Sequence, residues 1–381
     1  MLVDLSPDQE FFAKTTGQFL TDQVPAAALR RFGGTVPADF EAGYWRRGAE
    51  LGWTSLLVSE EAGGGSISGD GLTDLALIAY EFGRRAAPGP LAAASVAAAA
   101  LGASGTHPDA LAEVLAGQAL ATWCHAGPPG AALTVRADGA DLILDGVKRP
   151  AEAAARAKYL LVTGDLDGEA VQVLVPSGTP GVTVSPLRTP DFSRDFAQVT
   201  FDGTRVPASA LVGPPEQEPG PELAPGGTAA QVEWQCQVAL VLASAESAGA
   251  MRTGLDLTLA WVSDRYSFGR PLASYQALKH RLADMASWLE AACAVTAEAA
   301  RAVGERTPEA AELASAAKAF TGRYGTEMLQ ECVQLHGGIG LTREHDLHLY
   351  LRRTALNRAL HGTPGEHRRR IADHVINQEG L

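Results

Sequence analysis

The stretch Asp264–Met285, "DRYSFGRPLASYQALKHRLADM", separates two long helical patterns. Upstream, Val238–Tyr266 ("VALVLASAESAGAMRTGLDLTLAWVSDRY") is long and apolar enough for a buried helix. Downstream, Ser274–Val303 ("SYQALKHRLADMASWLEAACAVTAEAARAV") shows strong helical periodicity and no β-branched run. Arg265 and Phe268 fall in the link, with the next helix expected after Pro271. A guanidinium offers a planar fork to phosphate oxygens, and a phenyl ring packs on a purine. The plain alternative is a capping arginine and a core phenylalanine.

A third helical pattern, Pro308–Gly338, runs into "QLHGGIGLTREHDLH", Gln334–His348. Gly337, Gly338 and Gly340 interrupt it, which permits close backbone approach to a ligand and leaves amides for an anion. His345 and His348, with Glu344 and Asp346, sit on what reads as the next helix. Their spacing matches no metal motif, so a polar helix face or interface is expected and no metal. A last helix follows Pro364.

The N-terminal third is also helical. Ser6-Pro7 reads as an N-cap followed by proline at the first helical position. The alanine run Gly89–Gly105 is too weakly apolar for a membrane span and reads as a packed core helix. From about Ala119 the pattern changes to short runs of Val, Leu and Thr at strand length. Asp138-Gly139 and Asp145-Gly146 read as hairpin turns. The expected organisation is a helical domain over 1–118, a β domain over 119–213, a Pro/Gly-rich loop over 214–228 and a helical domain over 229–381.

The bulk properties exclude several classes. A formal net charge of -13 argues against nucleic-acid binding. Cys124, Cys236, Cys293 and Cys332 are far apart, without a C-x-x-C pair, which argues against a zinc site or a disulfide framework. That cysteine usage fits a reducing cytoplasm, and the N-terminus does not read as a signal peptide.

The helical–β–helical order, with R-x-x-F-G-x-P-x-x-x-x-Q at Arg265–Gln276 and Q-x-H-G-G-x-G at Gln334–Gly340, resembles the acyl-CoA dehydrogenase family over nearly the whole chain. The stretches "QALKHRLADM" and "QLHGGIGLTREHDLHLYLRR" are similar to those of actinobacterial members that degrade steroid side chains. The resemblance implies an α+β fold: a helical N-terminal domain, a β-barrel or sandwich, and a C-terminal four-helix bundle. It also implies FAD at subunit interfaces and electron transfer to an electron-transfer flavoprotein. Arg265, Phe268, Gln276, Gln334, Gly337 and Gly338 would then hold the ADP half of FAD.

The family reaction needs a carboxylate base for the α-proton of a CoA thioester. His361, in "ALHGTPGEHRRR", stands in the place of that glutamate, and the alternative base position falls near Ala239. Glu246 and Glu366 are the remaining carboxylate candidates. The family's flavin-contacting stretches are also altered. Cys124-His125 and Gly130-Ala131 replace Thr-Glu and Gly-Ser, and Pro150, Ala151 and Glu152 replace an aromatic and hydroxyl segment, although Gly146 and Lys148 remain. This inventory points to a chain without a catalytic residue of its own. It would serve an α2β2 heterotetramer whose homologous partner carries the flavin pocket, the glutamate and the acyl-CoA substrate. A flavin-free scaffold or regulatory protein, and a self-sufficient enzyme using His361 as base, are the rival readings.

Overall fold

The computed structural model describes residues 5–30, 42–127, 132–213 and 227–379. The Gly130-Ala131 pair and residues 214–226 of the expected loop lie outside them.

The N-terminal helices are α1 (Pro7–Gln23), α2 (Ala26–Leu29), α3 (Ala42–Glu50), α4 (Gly71–Arg85), α5 (Leu91–Ser104) and α6 (Pro108–Leu115). Ser6 caps α1 as expected: its hydroxyl accepts from Gln9 N at 3.2 Å, and the Gln9 side chain accepts from Ser6 N at 3.1 Å. Helix α5 is the alanine run. Its burial against β1, α6 and α7 follows from small side chains that let backbones approach.

Seven strands follow: β1 (Ala121–Cys124), β2 (Thr134–Asp138), β3 (Asp141–Glu152), β4 (Tyr159–Leu166), β5 (Glu169–Pro176), β6 (Val182–Leu187) and β7 (Phe196–Pro207). They form one curled sheet in the order β1-β4-β2-β3-β7-β6, with β5 also paired to β4. The expected β-barrel or sandwich domain is thus a curled, half-barrel sheet. Asp138-Gly139 makes the β2–β3 hairpin, with Asp138 opposite Asp141. Asp145-Gly146 does not turn the chain. It is a bulge inside β3, where the register against β7 shifts between Leu144 and Gly146. Gly146 has φ 142°, and a Cβ there would lie 2.9 Å from Leu133 Cα, so only glycine fits without a shift.

The C-terminal helices are α7 (Gly227–Asp264), α8 (Gln276–Gly304), α9 (Ala310–His336), α10 (Leu347–Ala359) and α11 (Pro364–Glu379). Among the described residues, no helix is long and apolar enough to cross a membrane. Helices α4 and α7 touch backbone to backbone. A Cβ on Gly83 would lie 1.9 Å from Glu246 O, and one on Gly249 would lie 2.0 Å from Tyr80 O. This reciprocal pair of glycines sets Glu246 at the junction of the N-terminal helices, the sheet and the C-terminal helices.

Candidate nucleotide half-site and enclosed cavity

The Arg265 motif and the Gln334 motif lie at one end of the C-terminal helices. Helix α7 ends there, α8 begins there, and α9 returns antiparallel to it, with Arg281 ion-paired to Glu331. The link between α7 and α8 is a two-stranded hairpin, β8 (Tyr266–Ser267) and β9 (Arg270–Pro271), followed by a short 3-10 turn. Phe268 and Gly269 form its tip with φ 48° and 80°, the left-handed pair of a tight hairpin turn. Phe268 is 96% exposed, so it is no core residue. Gln276, Gln334, Gly337 and Gly338 are also exposed. A Cβ at Gly337 or Gly338 would meet none of the described residues within 4 Å.

One residue the motif reading missed joins the two segments. Trp261, one helical turn before Arg265, has the Arg265 guanidinium 6.0 Å from its ring centroid. Its other partner is His336, stacked at 5.3 Å and 19°. Buried His336 uses Nδ1 on Cys332 O at 2.7 Å, while its Nε2 has no hydrogen-bond partner among the described residues. The i, i+4 spacing of Trp261 and Arg265 was the available signal. His345 precedes α10 rather than lying on it: its Nδ1 accepts from Leu347 N at 3.2 Å, and its ring meets His336 edge-on at 4.6 Å. His348 is buried, not a surface residue.

A cavity of about 440 Å³ opens between α4, α5, α7, the β1 end of the sheet and the α10–α11 link. Ala79, Leu91, Ala92, Ala93, Leu240 and Ala243 supply an apolar wall, and Ala239 lines it too. No serine or threonine is among its described lining residues. Opposite lie Trp123 and His125, stacked at 4.7 Å and 14°, with His361 nearly parallel to Trp123 at 6.4 Å and 17°. Cys236 Sγ sits 3.6 Å from His125 Nε2. Lys148 is buried and donates to His125 O at 2.9 Å, fixing this strand end.

Two carboxylates line the cavity, and both are engaged. Arg194 pairs with Glu152. Arg194 Nη1 also donates to Glu246 Oε1 and Oε2 at 3.1 and 3.0 Å. Glu246 receives further donors from Arg353 Nη1 at 2.7 Å and Asn357 Nδ2 at 2.8 Å. Fully buried Arg353 continues to Asp191, to Ser193 Oγ at 2.6 Å and to the carbonyls of Ala86 and Ala87 at 3.1 and 2.9 Å. Buried charges persist only when paired and hydrogen-bonded in this manner. Glu366 does not line the cavity: its carboxylate accepts from Thr363 N and Oγ1 at 2.7 and 2.8 Å, capping α11.

The imidazoles are held neutral. Burial, then the charge of Lys148, pushes His125 down to about 4. Enclosure by protein, then Lys318, His125 and Arg194, holds His361 far below the ordinary imidazole range, although its ring is reachable from the cavity. His361 has φ 58°, and its carbonyl accepts from His367 Nε2 at 3.0 Å. Lys318 is pushed down to about 7 by burial, then by Arg358, and donates to Asn357 O at 2.6 Å at the end of α10. The thiol of Cys236 is pushed up to about 12 by burial, which leaves it protonated. Cys124 is buried in the sheet core.

This architecture is that of a three-part flavoprotein dehydrogenase. Models of the acyl-CoA dehydrogenase N-terminal and C-terminal domains match residues 6–116 and 230–376. The chain belongs to the acyl-CoA dehydrogenase family, whose members are FAD-binding oxidoreductases. It is 31% identical to acyl-CoA dehydrogenase IpdE2 of Mycobacterium tuberculosis over 378 residues, 97% of each chain. It is 28% identical to IpdE2 of Mycolicibacterium smegmatis, over 98% of this chain and all of that one. Among solved structures, a chain of the ChsE4-ChsE5 complex from Mycobacterium tuberculosis superposes with a TM-score of 0.85 at 22% identity, covering 98% of this chain and 99% of its own. A Tcur3481-Tcur3483 steroid ACAD variant gives 0.84 at 25% identity, with the same coverage.

The residues present fit FAD unequally. The exposed Arg265–Phe268 hairpin, the open backbone at Gly337 and Gly338, and the unpartnered His336 Nε2 suit the ADP half of the cofactor. The cavity wall does not suit the flavin ring. It presents no side-chain hydroxyl among the described lining residues, and its carboxylates are tied to arginines.

Proposed function

We propose that this chain is the non-catalytic subunit of a heterotetrameric, FAD-dependent acyl-CoA dehydrogenase of the cytoplasm. A homologous partner chain carries the flavin ring, the catalytic glutamate and the acyl-CoA. Arg265, Phe268, Gln276, Gln334, Gly337 and Gly338 of this chain hold the ADP half of the partner's FAD. When bound, the flavin supplies a hydride acceptor for α,β-dehydrogenation of a CoA thioester. The similarity to the Tcur3481-Tcur3483 steroid ACAD supports a steroid side chain as the acyl group. An electron-transfer flavoprotein is the expected electron acceptor.

The observation that carries this reading is the state of the two carboxylates in the cavity. A base for an α-proton must have a free acceptor within hydrogen-bond reach. Both oxygens of Glu246 are bound, to Arg194, Arg353 and Asn357, and Glu152, whose carboxyl pKa is raised by burial, is paired through Oε1 with Arg194. Enclosure and the neighbouring Lys318 hold the His361 imidazole below its ordinary range, which weakens it as a base. Among the described residues, the contact found for the Arg265 guanidinium is the Trp261 indole face, which leaves its N–H fork for a phosphate.

The test is co-expression with a homologous dehydrogenase chain that has the missing glutamate, followed by Arg265→Ala in this chain alone. Loss of most FAD from the purified complex is expected. Unchanged FAD content, or turnover of an acyl-CoA by this chain without a partner, sinks the reading.

A further inference from the structure

His348 and the arginines around it serve neither the nucleotide half-site nor the cavity. Arg343, in the α9–α10 link, and Arg352, on α10, both stand over Phe192 of the β6–β7 connection. Their guanidinium carbons lie 5.5 and 4.2 Å from its ring centroid. The two cations are therefore less than about 10 Å apart, within the screening length of physiological salt, and they repel. Among the described residues neither is ion-paired. Their polar contacts are to carbonyls: Arg343 Nη2 donates to Arg30 O at 3.4 Å, and Arg352 Nη1 to Pro190 O at 2.9 Å. Arg352 Nε is buried without an acceptor among the described residues. The acids of the link do not balance these charges. Asp346 Oδ1 is engaged by Arg30 Nε at 3.1 Å, and Glu344 gives Arg30 its backbone carbonyl.

His348 lies one helical turn before Arg352, on the same face of α10. It is only 8% exposed. It faces the Arg343 backbone, yet neither ring nitrogen has a hydrogen-bond partner of ordinary geometry among the described residues. Burial, then the charge of Arg352, pushes its imidazole down, so the ring stays neutral and keeps one N–H to donate. Buried donors are rarely left unmatched in this way. The fork of Arg343, the Nε–H of Arg352 and the His348 N–H thus all lack an acceptor. They meet at the first turn of a 13-residue helix, whose dipole favours an anion. A cation would be repelled by both guanidinium groups. A planar carboxylate fills one fork in its own plane, whereas a tetrahedral oxyanion offers acceptors in several directions at once.

We propose that Arg343, Arg352 and His348 form a phosphate-binding site, separate from the nucleotide half-site, for inorganic phosphate or the phosphate of a small monoester. The site holds its ligand unchanged. It does not rest on the FAD assignment, because Arg265 touches this region only through the successive rings of Trp261, His336 and His345.

Calorimetric titration and phosphorus-31 line broadening of the full chain, alone or with a co-expressed partner, test this. The probes are inorganic phosphate, glycerol 3-phosphate and, as the planar control, acetate. Saturable binding of phosphate or its monoester at one per copy of this chain is expected, with acetate at least ~10-fold weaker and a thermal midpoint that rises with phosphate. Preference for inorganic phosphate identifies the free ion, and preference for glycerol 3-phosphate identifies a monoester. Arg343→Gln and Arg352→Lys should each weaken phosphate by ~10-fold or more. His348→Gln, which keeps a donor, should bind phosphate more tightly than His348→Leu. Arg343 is exposed, so its variant keeps the fold and remains informative even where a change at half-buried Arg352 or buried His348 unfolds the chain. No saturable binding, equal affinity for acetate, or unchanged affinity in Arg343→Gln overturns the proposal. So does loss of phosphate binding in Arg265→Ala, which would assign the ion to the nucleotide half-site. The FAD content of the complex remains a separate readout of that half-site.

Discussion

Glu246 Oε1 lies 2.7 Å from Nη1 of Arg353, a residue 107 positions further along the chain. Through this pair α7 and α10 are tied to the β6–β7 connection at Asp191 and Ser193, and to the end of α4 at Ala86 and Ala87. The contact joins all three parts of the fold and occupies a carboxylate that faces the cavity. The same bond thus ties the junction together and engages one of the two carboxylates that line the cavity.

Arg353→Met should destabilise the chain by about 3–5 kcal/mol, because it takes the buried guanidinium from Asp191 and one of the two from Glu246. Urea unfolding measures this. A loss below about 1 kcal/mol would show that water reaches the network.

Gly83→Ala should cost several kcal/mol despite the higher helix propensity of alanine, since the new Cβ meets the Glu246 carbonyl at 1.9 Å. Gly304→Ala is a suitable contrast, because its nearest neighbour is the tip of the Asp70 side chain. Thermal melting of the two variants should separate them clearly, with Gly83→Ala much the lower.

Phe268→Gly should not reduce the stability of the isolated chain. The ring packs on little, and glycine relieves the left-handed backbone at φ 48° by about 1 kcal/mol. FAD retention by the assembled complex should nevertheless fall. Equal FAD retention in both would remove Phe268 from the half-site.

The imidazoles make stability depend on pH. His125, His361, His367, His336 and His348 all lie below their ordinary value in the folded chain, chiefly through burial. The unfolded chain therefore binds more protons as pH falls below 6.5, and folded stability falls with it. The contribution is fully present above 6.5, and for His125 its loss continues to about 4. Between 6.5 and about 5 most unfolded carboxylates remain ionised, so the histidines dominate the slope. His125→Phe should flatten that slope by up to about 1.4 kcal/mol per pH unit. Urea midpoints at successive pH values check this, and a steeper slope in the variant would contradict it.

Much of this architecture is readable from local pattern. Helical period, the Ser6 cap and the Asp138-Gly139 turn depend on neighbouring residues, and the Arg265 and Gln334 motifs depend on spacing within one segment each. Other features are set by distant contacts. Asp145-Gly146 has hairpin composition, but the approach of Leu133 makes it a bulge. Phe268 has the composition of a core residue, yet the hairpin turns it outward. The engagement of Glu246 needs Arg194 and Arg353, each on a different element. His345 reads as helical because its sequence continues the period of α10, but its side chain caps that helix instead.

The most direct measurement is the FAD content of a purified complex of this chain with a homologous partner, by absorbance against quantified subunit ratio. An α2β2 assembly in which this chain has only half-sites predicts two FAD per four chains. Four FAD per four chains, or a flavin-loaded and active homomer of this chain, would contradict the account.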